Sequence, residues 1–274
     1  VTIGVEHQLY STGHKKAYSI FDNRGTITLA SGNNLVGILM DSEQWGDNTN
    51  NDIPENTERL PHKTINNGKV IINSENSIGI DYGEFHNRFF KSNLTIGNVE
   101  VNGKHNYGLR MANIFTNNPN YFDKGVTIQS GGENKKILVQ GEENVGVSIA
   151  KFLSSAKDSN PIAGITEGLN IEVAGKKNIG LLRYKDYSEN NPNDMILDTN
   201  TMGVFTFGNG AKDSTLIRTD KYGIQVKKDI SATGKDDDGN DYTGSGNTVL
   251  HSNGETQHIY NYNTITVGKG FTKT

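Results

Sequence analysis

Apolar residues along this chain alternate in short pairs, and the pairs come in couples separated by a turn. Ile27 and Leu29 alternate, Gly32 follows, and Val36-Gly37-Ile38 completes the unit. The same arrangement returns at Ile71–Ile80, Val99–Leu109, Ile137–Val147 and Ile171–Leu181, and one residue shorter at Leu216–Val226. Alternation with period two predicts strands whose apolar members share one face. The intervening Gly-x-x-Asn predicts a tight corner, because Gly and Asn tolerate positive φ. In five of the six copies the turn residue (Gly32, Ser74, Gly103, Gly141, Gly175) stands five positions before the second glycine. Met202–Phe207 reads as a degenerate extra copy.

The second glycine of the motif recurs as Gly37, Gly79, Gly108, Gly146, Gly180 and Gly223, at intervals of 42, 29, 38, 34 and 43 residues. Leucine-rich and heptad repeats hold their period, so both are excluded. A right-handed parallel β-helix (β-solenoid) absorbs such variation by sending surplus residues out at a corner. Surplus stretches follow the motif at 41–68, 81–93, 111–124, 150–161 and 183–194, and are expected as loops. Stacking at about 4.8 Å per coil makes roughly ten coils a rod of about 50 Å. The expected organisation is a β-helix over 1–230, a Gly/Asp-rich loop or hinge over 231–247, and further truncated strands over 248–274. Strand-like Val1–Val5 and Thr264–Val267 at the two ends suggest a fragment.

Composition sharpens this picture. Only 33% of the 274 residues are hydrophobic, and mean hydropathy is −0.60, too little for a thick spherical core. A narrow aliphatic column needs less. The 35 Asn and 32 Gly fit corners, and a net charge of −4 is too small to keep the chain unfolded. A pI near 6.0 and the lack of any Lys/Arg run longer than two argue against a nucleic-acid surface. No apolar run reaches the roughly 20 residues of a membrane helix. The absence of Cys is compatible with export.

A β-helix can carry glycoside chemistry, which needs two facing carboxyl groups. Asp81 and Asp198 lie near strands, but the sequence pairs neither. Gly146-Val-Ser148-Ile-Ala150 is the nearest approach to a nucleophile elbow and falls inside a repeat strand. The seven His show no zinc spacing. His105 stands where other copies have Asn34, Glu143 or Lys177, a variable outward position. Asp236, Asp238 and Asn240 imitate a calcium loop, but Asp241 and Asn247 stand where that loop requires Gly and Glu. No catalytic residue, metal or cofactor is therefore assigned. Aromatics gather in the surplus stretches, and Trp45, Phe89 and Tyr184 are the candidate ligand-binding residues.

Gly-Lys-Lys-Asn-Ile-Gly-Leu (175–181), Asn-Gly-Lys-His-Asn-Tyr-Gly-Leu-Arg-Met (102–111) and Asp-Lys-Tyr-Gly-Ile-Gln-Val (220–226) resemble passenger repeats of the RadD-like monomeric (type Va) autotransporter adhesins of fusobacteria. The resemblance covers about 25–231. It implies a monomeric passenger exported to the cell surface and tied to the outer membrane only through a C-terminal barrel outside this sequence. Its implied role is coaggregation, biofilm building and host attachment, through a surface protein or glycan of another cell. The rival reading is a β-helical polysaccharide-degrading enzyme.

Overall fold

The computed structural model describes residues 1–10, 19–43, 62–86, 92–115, 126–149, 165–184, 194–220, 223–235, 241–242, 244–253 and 258–268. Among them every regular element is a strand, and every pairing but one is parallel. A first sheet runs in the order β1 (Thr2–Tyr10), β4 (Leu35–Glu43), β7 (Ile78–His86), β10 (Tyr107–Phe115), β13 (Val145–Ile149), β15 (Ile179–Arg183), β18 (Thr215–Asp220) and β23 (Thr248–Asn253). A second comprises β3 (Thr26–Leu29), β6 (Lys69–Ile72), β9 (Asn98–Val101), β12 (Ile137–Val139), β14 (Leu169–Val173) and β17 (Met202–Phe207). A third joins β2 (Ile20–Asn23), β5 (His62–Asn66), β8 (Ser92–Thr95) and β11 (Val126–Gln129). β16 (Met195–Leu197), β19 (Ile224–Val226) and β24 (Ile259–Asn261) form a separate three-stranded sheet. Two further pairs are β20 (Ile230–Ser231) with β25 (Ile265–Thr266), and the antiparallel β21 (Gly234–Lys235) with β22 (Asp241–Tyr242).

Each pass of chain adds at most one strand to a given sheet, beside its counterpart from the pass before. Registers then stack like on like. Ile38, Ile80, Leu109, Val147, Leu181 and Ile217 form one column, each no more than 1% exposed. Val70, Val99, Ile137, Ile171 and Phe205 form another in the second sheet. Val145 lies directly against Ile179 in the next pass. One continuous apolar cluster results, a few side chains across, which is how so polar a chain sustains a core.

The glycine of the motif has a steric cause. A Cβ on Gly37 would lie 2.6 Å from the Gly79 carbonyl oxygen, on Gly79 2.8 Å from that of Gly108, and on Gly146 2.6 Å from that of Gly180. The backbones pass too closely for any side chain. Gly223 does not belong to this ladder. Thr215–Asp220 already pairs with β15, so Leu216 occupies the sixth position, and Gly223 precedes β19 in another sheet. Met202–Phe207 is accordingly the second-sheet strand of that pass rather than an extra copy.

The asparagine of the corner also acts otherwise than its sequence context suggests. Positive φ falls on the residue before the position that Asn106, Asn144 and Asn178 share with Leu35, Ser77 and Ser214 in the other passes: Asn34, Asn76, His105, Glu143, Lys177 and Asp213. Asn106, Asn144 and Asn178 are wholly buried and form a hydrogen-bonded ladder. The backbone N–H groups of Ser77, Asn106 and Asn144 each donate 2.8 Å to Oδ1 of Asn106, Asn144 and Asn178 in turn. Asn178 N–H donates to Ser214 Oγ, and Ser214 N–H to Asn247 Oδ1. Each side-chain amide of the three donates downward, Asn144 Nδ2 to the carbonyls of Gln140 and Gly103. Corner groups that strands cannot satisfy are thereby paired inside the core.

Other expectations shift with these registers. Eight strands stack in the first sheet rather than ten, a span of roughly 34 Å. Asp41–Glu43, Asp81–His86 and Met111–Phe115, expected as loop, continue first-sheet strands. Arg183, expected at a loop boundary, ends β15 and is wholly buried. The stretches 44–61, 87–91, 116–125, 150–164 and 185–193, each joining the end of a first-sheet strand to the next pass, lie outside the described residues. Residues 231–247 include the antiparallel pair and then a corner like the others, since Ser245 bridges Lys212 and Asn247 continues the ladder.

Candidate functional site

The outward face of the second sheet is interrupted where β17 meets β14. Leu169 pairs with Met202 but Ile171 with Phe205, so β17 carries one extra residue. Such a bulge bends the strand and redirects side chains. Val204 is pushed outward and is 63% exposed. Asn170 supports the bulge: Val204 N–H donates to its Oδ1 (2.9 Å), and its Nδ2 donates to the Lys135 carbonyl (3.0 Å). Beside it lies an open groove of about 330 Å³, lined by Glu133, Asn134, Lys136, Asn170, Glu172 and Val204 among others. Lys136 and Glu172 form an ion pair across neighbouring strands. Amide, ammonium and carboxylate groups beside a small apolar floor suit a polar ligand held by hydrogen bonds.

A second polar cluster joins the first and third sheets. His7 Nδ1 is 2.8 Å from Thr64 Oγ1, and its Nε2 is 2.9 Å from Ser19 Oγ. That hydroxyl also lies 3.0 Å from His62 Nδ1, which accepts the Ser19 backbone N–H. An Nδ1 that accepts must carry a lone pair, so the tie requires neutral His62. Burial holds the His7 ring below its ordinary value of 6.5, and burial together with the charge of His7 does the same for His62. The sign follows directly: the unfolded chain takes up protons near pH 6.5 while the folded chain resists them. Stability contributed by the tie is present above pH 6.5 and lost as pH falls below it. Thermal midpoints between pH 7.5 and 5.5 should fall more steeply in the native chain than in His62→Asn, whose Oδ1 preserves an acceptor that does not titrate.

The ion pairs at the corner between the second and first sheets are surface ties. Lys104, Glu142 and Lys176 stack on successive passes, as do His105, Glu143 and Lys177. His105 Nε2 lies 2.5 Å from Glu143 and holds that carboxyl below the usual carboxylate range. His105 thus faces outward, as its variability suggests.

Of the candidate ligand-binding residues, Trp45 and Phe89 lie outside the described residues. Tyr184 follows β15, is 53% exposed, and is anchored by its backbone N–H to the Ile149 carbonyl (2.8 Å). Asp81 is gripped by both Nε and Nη2 of Arg110, at 3.1 and 2.7 Å. Asp198 caps a turn, accepting from the N–H groups of Asn200 and Thr201. Ser148 is buried within β13. No cluster of three metal-binding side chains occurs among the described residues, and 236–240 lie outside them. Sequence reasoning missed both the groove and the histidine tie. The bulge depends on one surplus residue, and His7 and His62 meet only once registers are known.

No protein-family model, curated protein or solved structure matches this chain.

Proposed function

We propose that this chain is a segment of a bacterial cell-surface adhesin, a right-handed parallel β-solenoid that acts by binding and without catalysis. The observation that carries the reading is the in-register parallel stack of eight first-sheet strands, like residues lying on like from pass to pass. Such a scaffold presents recognition segments in a row, and weak contacts along a row add through effective concentration. The motif resemblance to fusobacterial type Va autotransporter passengers supports the same reading. It gives the chain a place outside the outer membrane and a partner that is a surface protein or glycan of another bacterium or host cell. The engagement of Asp81 by Arg110 and of Asp198 in a turn weighs against the polysaccharide-degrading alternative.

Purified chain should bind the partner cell saturably and release no products from polysaccharides. Replacing Trp45, Phe89 and Tyr184 together with Ala should weaken adhesion about tenfold while leaving the β circular-dichroism spectrum intact. Product release with turnover would sink the reading.

A further inference from the structure

The strand β24 presents a row of rings to solvent. Its partners Ile224 and Val226 are buried, and Ile259 and Asn261 pair with them. Alternation therefore puts His258, Tyr260 and Tyr262 on the opposite, outward face. Tyr260 is 49% and Tyr262 64% exposed. The ring centroids of His258 and Tyr260 are 4.5 Å apart, and those of Tyr260 and Tyr262 are 6.3 Å apart, with a 42° tilt at each step.

Polar groups from the two preceding strands flank the row. Asp194 accepts from Gln225 Nε2 (2.9 Å) and lies 2.8 Å from His258 Nε2. A carboxylate only accepts, so His258 Nε2 is the donor in this contact. Lys227 Nζ stands 5.9 Å from the centre of the Tyr262 ring. Charges are balanced within the strip: one carboxylate sits between an imidazole and an amide, and one ammonium sits over a ring.

We propose that this face is a binding strip for oligosaccharides, with Tyr260 and Tyr262 as stacking platforms and Asp194, Gln225 and His258 as hydroxyl partners. The face of a pyranose is a patch of C–H groups with weak positive character, and the face of a tyrosine ring is its negative complement. The hydroxyls around a sugar's rim need acceptors and donors at the edge of the stack, where Asp194, Gln225 and His258 stand. Ring-to-ring steps comparable to one pyranose allow consecutive units of a chain to be engaged. The strip lies on paired strands, so its geometry is set before ligand arrives, which lowers the ordering cost of binding. A protein partner would ask for a broader apolar patch, and a nucleic acid for clustered cations. This inference rests on the adhesin reading and gives its partner a chemistry.

The experiment applies the chain to an array of defined oligosaccharides ending in glucose, galactose, their N-acetylated amines or sialic acid, and in parallel to partner cells. The native chain should bind at least one oligosaccharide. Tyr260→Ala/Tyr262→Ala should lose about tenfold or more in affinity, while Tyr260→Phe/Tyr262→Phe, which keeps both ring faces, should stay within about threefold. Unchanged thermal midpoints would show that the variants fold. No oligosaccharide binding by the native chain, or equal binding by the alanine variant, overturns the strip. If cells are still bound in that case, the adhesin reading survives its loss. Adhesion abolished by protease treatment of the target cells but indifferent to glycosidases also overturns the strip, in favour of a protein partner.

Discussion

Replacing Gly146 with alanine should destabilise the chain by about 2–3 kcal/mol, an overpacking cost with no nearby space to absorb it. The added methyl would meet the Gly180 carbonyl oxygen at 2.6 Å and Val139 Cγ2 at 2.9 Å. The Gly180 oxygen belongs to a hydrogen-bonded strand and Val139 to the core, so neither yields freely. Valine at this position should block the stack and lead to insoluble or protease-sensitive protein. Gly223→Ala is the control. Its methyl would press on the side-chain ends of Asp194 and His258, which can turn aside only by loosening their surface hydrogen bond, so the expected change is about 1 kcal/mol or less, well short of the loss at Gly146. Urea midpoints of the two alanine variants decide the matter. Equal losses would mean that the ladder has been placed on the wrong glycines.

Asn144→Ala should cost about 3 kcal/mol and lower the thermal midpoint by roughly 5–10 °C. The substitution leaves the Asn106 N–H and the carbonyls of Gln140 and Gly103 without their side-chain partner, in a part of the core that is wholly buried. Asn144→Ser should recover part of the loss, because Ser77 and Ser214 already serve in the same column and accept from the pass before. Asn144→Asp should be worse than alanine at pH 7. A carboxylate accepts from Asn106 but turns like charge on two carbonyl oxygens, and only its protonated form can donate to one of them. Acidification should therefore narrow the gap between Asp and Asn at this position, whereas it widens the deficit of the native histidine tie. An aspartate variant as stable as the native chain would remove the ladder from the account of stability.

Much of the fold was legible because period-two alternation and a fixed five-residue offset both survive in single-sequence text. Ile137/Val139 with Val145/Val147 needed no structure to be read as two strands around a corner. The sixth pass was misread because three cues changed together. Four residues separate Phe207 from Lys212 where two separate Val173 from Lys176, serine replaces the ladder asparagine, and Leu216 replaces glycine. Tyr222-Gly223-Ile224 then supplied a false match seven residues downstream. The asparagine ladder was hidden for another reason. A conserved-looking Gly-x-x-Asn explains itself locally as a turn, whereas the hydrogen bonds that need Asn run between passes some 29 to 38 residues apart. A buried cation such as Arg183, in the column of Met40, Tyr82, Met111 and Ile149, cannot be told from a loop residue by polarity alone. The aromatic strip was visible as His258-Ile-Tyr-Asn-Tyr262, but nothing in the text placed Asp194 and Gln225 beside it.

Where the chain departs from the stack also bears on how such a protein changes over time. Where β4 leads to β5, β7 to β8 and β10 to β11, the flanking strands are each paired with neighbouring passes, so the length of the connection between them is nearly free. Doubling such an excursion adds only about 0.6 kcal/mol of closure entropy. New sequence can be trialled there without renegotiating the column of aliphatics, the glycine contacts or the asparagine bonds. The architecture thereby separates what must be inherited unchanged from what can diverge.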